Sequence, residues 1–255
     1  MQRYFIAPEQ LTATEAVLTG DDAHHLVKVM RARPGQTIIC SDGQGREVLA
    51  EITALEPGIV RASVVETLPL TAEPAVHVWI AQSLPKGDKL ELVIQKGTEI
   101  GAARFLPFLS ARTVVQYDER KEAKRVDRWR KIAKEAAEQA HRNRVPVIEA
   151  PLTWKQLLNR VPEADAAFFC YEKPSGRQLR EALRDAFPAD SAETRAGRTV
   201  LLVIGPEGGF TEQELQEAEA AGCVAVGLGA RILRTETAGM VGLTCVLYET
   251  GEMGG

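Results

Sequence analysis

Cysteine is scarce in this chain of 255 residues: Cys40, Cys170, Cys223 and Cys245 are far apart, each in or beside an apolar stretch, with no C-x-x-C pair. A disulfide scaffold is therefore excluded, and the four read as reduced core residues. Histidine is equally sparse, and His24, His25, His77 and His141 show neither the H-E-x-x-H spacing nor a nearby Cys or carboxylate cluster. No metal site is expected. No apolar run approaches the roughly 18 residues that cross a bilayer, and the opening Met-Gln-Arg-Tyr-Phe-Ile lacks a signal peptide's apolar region. The expectation is a cytoplasmic protein with no membrane contact. With 45% hydrophobic and 26% charged residues, the composition is that of an ordinary globular protein, with room for one large domain or two modest ones.

Overall charge is −4, but it is unevenly spread. Residues 1–73 hold 6 Lys and Arg against 10 Asp and Glu, residues 84–145 hold 15 against 9, and residues 146–255 hold 10 against 16. A basic middle within an acidic whole suits a face for a polyanion, although a long helix with a solvated Lys/Arg/Glu surface gives the same count.

Up to about residue 68, short apolar stretches (3–6, 15–18, 37–40, 48–55 and 59–65) alternate with turn signals such as Arg33-Pro34-Gly35, Asp42-Gly43 and Glu56-Pro57-Gly58. The pattern is all-β, with a helical turn or two expected at 23–30. A short Pro-bearing link then places a domain boundary near residue 72, dividing the chain into 1–72 and 73–255. Beyond it strands and helices alternate, the signature of a parallel sheet covered by helices. Strands are expected at 76–81, 105–109, 145–148, 166–170, 200–204 and 223–226. Helices are expected at 88–100, opened by an Asp88-x-x-Glu91 box, and at 119–142, 154–160, 175–187 and 212–221. A polar loop is expected at 188–198, and a final apolar helix opened by residues 231–238.

Two glycine loops stand out. The strand at 200–204 runs into Gly205-Pro206-Glu207-Gly208-Gly209-Phe210, and Thr211-x-x-Glu214 starts a helix at once. Strand, glycine loop and helix form a ligand-binding arrangement, because glycine lets backbone approach a ligand closely; a merely tight turn is the alternative. No Gly-Lys-Ser/Thr or G-x-G-x-x-G follows, and Glu207 sits where an anion would lie. A neutral or cationic ligand, such as a sulfonium, fits better than phosphate. The second loop, Gly227-Leu228-Gly229, leads through Arg231-Ile232-Leu233-Arg234-Thr235-Glu236-Thr237-Ala238 into the last helix, which is apolar nearly all round. Such a helix needs cover on more than one side, by deep burial or by a second copy.

The two loop sequences together resemble the knotted SPOUT class of S-adenosylmethionine-dependent RNA methyltransferases. Lys86-Gly-Asp-Lys89-Leu-Glu91, Gln95-Lys-Gly-Thr-Glu-Ile-Gly101, Glu135-Ala-Ala-Glu-Gln139, His24-His25-Leu26 and Val29-Met-Arg31 are similar to the bacterial 16S ribosomal RNA uridine-N3 methyltransferases, over nearly the whole chain. The resemblance implies an N-terminal PUA-like β-barrel that helps hold RNA, an α/β domain with a trefoil knot, and a homodimer. It also implies that Gly205, Pro206, Glu207, Gly208, Gly209, Leu228 and Leu233 hold S-adenosylmethionine, with Thr235, Thr237 and Ala238 completing the pocket. The partner implied is 16S ribosomal RNA or the small ribosomal subunit.

Methylation at N3 requires loss of the proton that neutral uracil carries there. Arg234, always protonated, is the candidate for binding the anionic carbonyls, and Glu236, or else Glu207, for accepting the proton. A structural Arg234–Glu236 ion pair is the competing reading. Arg112, Arg142 and Arg144, with Arg3, Arg31 and Arg33 in the first domain, are the candidate phosphate contacts. A non-catalytic RNA-binding assembly factor and a methyltransferase for another RNA are the alternative functions, and intact glycine loops count against the first.

Overall fold

The computed structural model describes residues 1–114, 122–171, 176–188 and 195–254. Its chain divides into two compact units: residues 1–73 with 137–145, and residues 74–136 with the chain from 146 onward.

Unit 1 is a curled five-stranded sheet. Strands β1 (Arg3–Phe5), β2 (Glu15–Thr19), β3 (Thr37–Ser41), β4 (Glu47–Glu56) and β5 (Ile59–Thr67) lie in the order β1-β3-β4-β5-β2, antiparallel except for β1 beside β3. Alternation places Leu18, Ile38, Cys40, Val48, Ala50, Ile52 and Val60 in one apolar core. The turn after β3 forms around Asp42, whose carboxylate accepts from the N–H groups of Gln44, Gly45 and Arg46. Gly20-Asp21-Asp22 starts helix α1 (Gly20–His24), which widens into a π-helical turn over His25–Val29. Asp21 and Asp22 suit its positive N-terminal end.

The segment 137–145 joins this unit through a buried polar network that the sequence pattern does not announce. Glu73 accepts from Arg142 Nη2 at 2.6 Å, from Arg142 Nε at 3.2 Å and from the backbone N–H groups of Asn143 and Arg144. Asn143 Nδ2 donates to Glu47, which is ion-paired with Arg3.

Unit 2 holds a parallel sheet in the order β12-β10-β11-β6-β7-β8, with β9 also beside β7. Its elements are β6 (His77–Ser83), α2 (Lys89–Ile100), β7 (Arg104–Leu109), α3 (Glu122–Gln139, which ends in the unit 1 segment), β8 (Val147–Ile148), β9 (Leu152–Thr153), α4 (Trp154–Leu158), β10 (Ala166–Cys170), α5 (Leu179–Ala186), β11 (Thr199–Ile204), α6 (Glu212–Ala220), β12 (Val224–Val226) and α7 (Thr235–Glu249). Central strands are apolar throughout, as burial on both faces requires; every residue of β11 is buried. Of the longest expected helix, 119–121 lie outside the described residues, as do Ser175 of the helix expected from 175 and residues 189–194 of the expected loop. Asp88 precedes α2 but makes no side-chain cap, so the expected box there does not form. Among the described residues no helix is long and apolar enough to cross a membrane.

Helix α7 lies on β6 and β11 and against α2 and α5. Gly239, Gly242, Leu243, Val246 and Leu247 are buried beneath it, whereas Cys245 and Tyr248 are exposed on the other side. Gly242 allows this close approach: a Cβ there would stand 3.2 Å from the Leu202 side chain.

Candidate active site

Registers Cys170↔Ile204, Ile204↔Gln82 and Cys170↔Val226 bring the carboxyl ends of β10, β11, β6 and β12 to one edge of the sheet. Ligands of open parallel sheets bind outside that edge. Here both glycine loops emerge.

The first loop is shaped by aromatic packing below and a cap above. Phe210 folds into a cluster with Phe169 (ring centroids 4.1 Å apart), Trp154 and Phe108. A side chain at residue 205 would meet the Phe210 ring at 3.0 Å, and Gly209 adopts φ +66°, so both positions call for glycine. Thr211 Oγ1 accepts from Glu214 N at 3.1 Å while Glu214 Oε2 accepts from Thr211 N at 2.8 Å, the capping box legible in the sequence. The other oxygen of Glu214 accepts from Ala111 N at 2.8 Å and ties in the loop after β7.

The second loop is held by the chain before α5. Gly227 N donates to Arg177 O, Leu179 N to Gly227 O, and Gly229 N to Gln178 Oε1 at 3.2 Å. Arg234 then takes an extended conformation as the residue before α7, its carbonyl accepting from the N–H groups of Thr237 and Ala238. The two loops are locked together: Thr235 Oγ1 donates to Gly205 O at 2.6 Å, and buried Gln82 Nε2 donates to Thr235 Oγ1 at 2.8 Å.

Between them lies a cleft of about 640 Å³ lined by Lys89, Cys170, Tyr171, residues 204–210, residues 232–235 and Ala238. The cofactor residues expected from the sequence at Gly205, Pro206, Glu207, Gly208, Gly209, Leu233, Thr235 and Ala238 thus share one cavity with Arg234. Leu228 and Thr237 are not among its lining residues; Leu228 faces Gly242 of α7 instead.

Glu236 stands beside the cleft with its side chain 15% exposed, and Lys89 Nζ lies 3.5 Å from its Oε2. That oxygen is buried and makes no hydrogen bond among the described residues. No ion pair between Arg234 and Glu236 forms among the described residues; the partner of Glu236 is Lys89. The same ammonium donates to Glu207 Oε1 at 2.8 Å, and Lys86 N donates to that oxygen at 3.1 Å. Burial works against ionisation of Glu207, but the hydrogen bonds from Lys89, its own backbone N–H and Lys86 N outweigh it and hold the carboxyl below its ordinary value. The Glu207 hydrogen bond, against a smaller desolvation effect, raises the Lys89 ammonium above its own.

The arginines separate into two groups. Arg31, Arg33 and Arg144 are exposed on unit 1, and Arg112 is exposed on unit 2 with Nη1 donating to Gly208 O at 2.9 Å. Arg142 is 3% exposed and clamped by Glu73, and Arg3 is paired with Glu47 and donates to Arg142 O. The phosphate contacts expected at Arg3 and Arg142 are therefore corrected: each guanidinium is turned inward onto a carboxylate of its own unit. Lys89 and Gln82, in contrast, were absent from the expected site. Lys89 lies in the Lys86-Gly-Asp-Lys89 stretch, where helical periodicity marks it only as a first-turn residue, and Gln82 ends an apolar strand with no motif around it.

A parallel sheet with a glycine-loop cleft at its carboxyl edge, following a small β unit, is the architecture onto which the family comparisons map. Residues 72–247 match the RNA methyltransferase domain family, and residues 18–65 match the RNA methyltransferase PUA domain. The class is thus that of the RNA methyltransferases with a PUA domain. The ribosomal RNA small subunit methyltransferase E of Bacillus subtilis is 43% identical over 253 residues, 98% of this chain and 97% of its own. That of Mycobacterium tuberculosis is 35% identical over 240 residues, 92% of this chain and 87% of its own. The crystal structure of the Neisseria gonorrhoeae ribosomal RNA small subunit methyltransferase E, bound to S-adenosyl methionine, is similar with a TM-score of 0.83, 30% identity and 97% of both chains covered. The chain belongs to the ribosomal RNA small subunit methyltransferase E family.

Proposed function

We propose that this protein methylates N3 of a specific uridine in 16S ribosomal RNA of the small subunit, using S-adenosylmethionine. The observation that carries the reading is the cleft itself: the first glycine loop, Leu233, Arg234 and Thr235, which ties the two loops together, line one cavity, and Glu236 stands beside it against Lys89. A cofactor of this kind fits on three counts. The volume lies within the range of about 300–1,000 Å³ usual for small-molecule sites. Glu207, on the first loop where a phosphate would have to lie, stands against an anion there. The Neisseria gonorrhoeae relative, similar over its whole length, holds S-adenosyl methionine.

When bound, S-adenosylmethionine supplies an activated methyl group, whose carbon bonds to N3 as the carbon–sulfur bond breaks with its electron pair going to sulfur. The residues of the two loops, with Leu228 and Thr237 included in the proposed set, would hold it. Alignment of the partners contributes about 7–11 kcal/mol. Glu236 accepts the N3 proton, a general-base contribution of about 10² to 10⁴ in rate. Arg234 binds the charge left over the uracil carbonyls. The base must first leave its stack to enter. Residues 1–72 form the RNA-holding domain, with Arg31 and Arg33 as phosphate contacts, and Arg144 and, on unit 2, Arg112 are further phosphate contacts. The protein works in the cytoplasm as a homodimer, its second domain (73–255) having the SPOUT trefoil-knot topology.

The test is transfer of labelled methyl from S-adenosylmethionine to small-subunit RNA lacking this modification. Wild-type protein should label it, whereas Arg234→Ala should abolish turnover and keep cofactor affinity within about twofold. A fully active Arg234→Ala protein would remove Arg234 from the chemistry. No label alongside clear cofactor binding would move the substrate to another RNA.

A further inference from the structure

We infer that Lys89 is the positioning residue that divides the labour between the two carboxylates of the cleft, committing Glu207 to a structural role and leaving Glu236 as the proton acceptor. The inference rests on the methyl-transfer reading above and assigns within it a residue that reading does not use.

The geometry is unequal by construction. Lys89 opens α2 at the carboxyl end of β6, so its ammonium reaches between the first glycine loop and the start of α7. It donates to Glu207 at 2.8 Å, and Lys86 N donates to the same Glu207 oxygen. Glu207 is thereby satisfied as an anion and held away from protonation. Towards Glu236 the ammonium stands at 3.5 Å, near enough for charge attraction, yet Glu236 Oε2 makes no hydrogen bond among the described residues. A buried carboxylate oxygen left open is costly to a protein unless a donor arrives. Uracil N3–H is the donor on the edge where the reaction takes place. When that N–H bond breaks, the proton forms an O–H bond on Glu236 and the electron pair remains on N3 for the incoming methyl carbon.

Charge on every side of the cleft fits this division. Lys89 comes from α2, Glu207 from the loop after β11, Arg234 and Glu236 from the start of α7, and Tyr171 and Cys170 from the end of β10. Without Lys89, Arg234 would be the remaining cation among the described lining residues, with Glu207 in the cleft and Glu236 beside it. Glu236 would then lose the charge that fixes its direction.

The experiment is single-turnover methyl transfer to small-subunit RNA by four proteins compared with wild type: Lys89→Met, Lys89→Arg, Glu236→Gln and the double variant Lys89→Met/Glu236→Gln. Lys89→Met should lower the rate at least about tenfold with the half-saturating cofactor concentration changed less than about twofold, and Lys89→Arg should restore most of it. In the double variant the Lys89 change should cost nothing further, because its effect passes through Glu236. Multiplying losses in the double variant, an arginine variant as slow as methionine, or a fully active Lys89→Met would each overturn the assignment. Absence of transfer by the wild-type protein in the same assay would instead sink the methyl-transfer reading, and the role of Lys89 with it.

Discussion

Glu207 shows how a residue's chemistry is set by what surrounds it. From the sequence it argues only against phosphate; in the structure the ion pair with Lys89 makes it part of the cleft's framework. Its carboxyl is held below the ordinary value, so the stabilisation from that pair is fully present above the unfolded carboxylate pKa, about 4.3. It is lost as pH falls through the lower folded value. The difference in Tm between wild type and Glu207→Gln should accordingly be constant from pH 7 to about pH 5 and shrink below about pH 4. A difference already shrinking between pH 7 and pH 6 would show that another group controls the pair. The cysteines follow the same logic of surroundings: burial pushes Cys40 and Cys223 up to about 12, which makes them inert thiols, whereas Cys245 is exposed on α7.

At the scale of elements, the tightest constraint is the close approach of α2 to the sheet. A Cβ on Gly97 would stand 2.8 Å from the Phe105 ring, which is fully buried and has no room to yield. Gly97→Ala should therefore destabilise the protein by about 1–3 kcal/mol despite alanine's better helix propensity, read as a lower midpoint in urea. An unchanged or higher midpoint would mean that the ring moves. In unit 1, Glu73→Ala would remove the carboxylate that Arg142, Asn143 and Arg144 share and should cost about 1–3 kcal/mol by the same measurement. Element identity was largely legible because it follows from local pattern. Apolar runs such as Thr199–Ile204 gave the central strands, and the Thr211/Glu214 box gave the start of α6. What stayed hidden depends on partners distant in sequence. Glu73, Arg142, Asn143 and Glu47 look like surface residues until their network closes, and Lys89 looks like an ordinary helix residue until Glu207, 118 positions away, reaches it. Asp88 failed as a cap for the converse reason: it has the right residue type, but its backbone is not in the extended conformation a capping residue needs.

For the whole molecule, the uncovered side of α7, with Cys245 and Tyr248 exposed, is where the proposed homodimer would find apolar surface. Alkylation of Cys245 should be slow at micromolar protein and accelerate on dilution as the dimer separates, with sedimentation reporting the mass in parallel. A monomer by sedimentation, with Cys245 labelled rapidly at every concentration, would contradict that assembly. In the proposed function each unit has its own part: the β unit, which matches an RNA methyltransferase PUA domain, holds RNA, and the parallel sheet carries the cleft at its carboxyl edge. The central claim is that this cleft places a methyl group on a uridine nitrogen rather than on ribose, cytosine or another atom. Nucleoside analysis of small-subunit RNA methylated by the purified protein tests it most directly: N3-methyluridine as the labelled product is the predicted result, and label in any other nucleoside would contradict it.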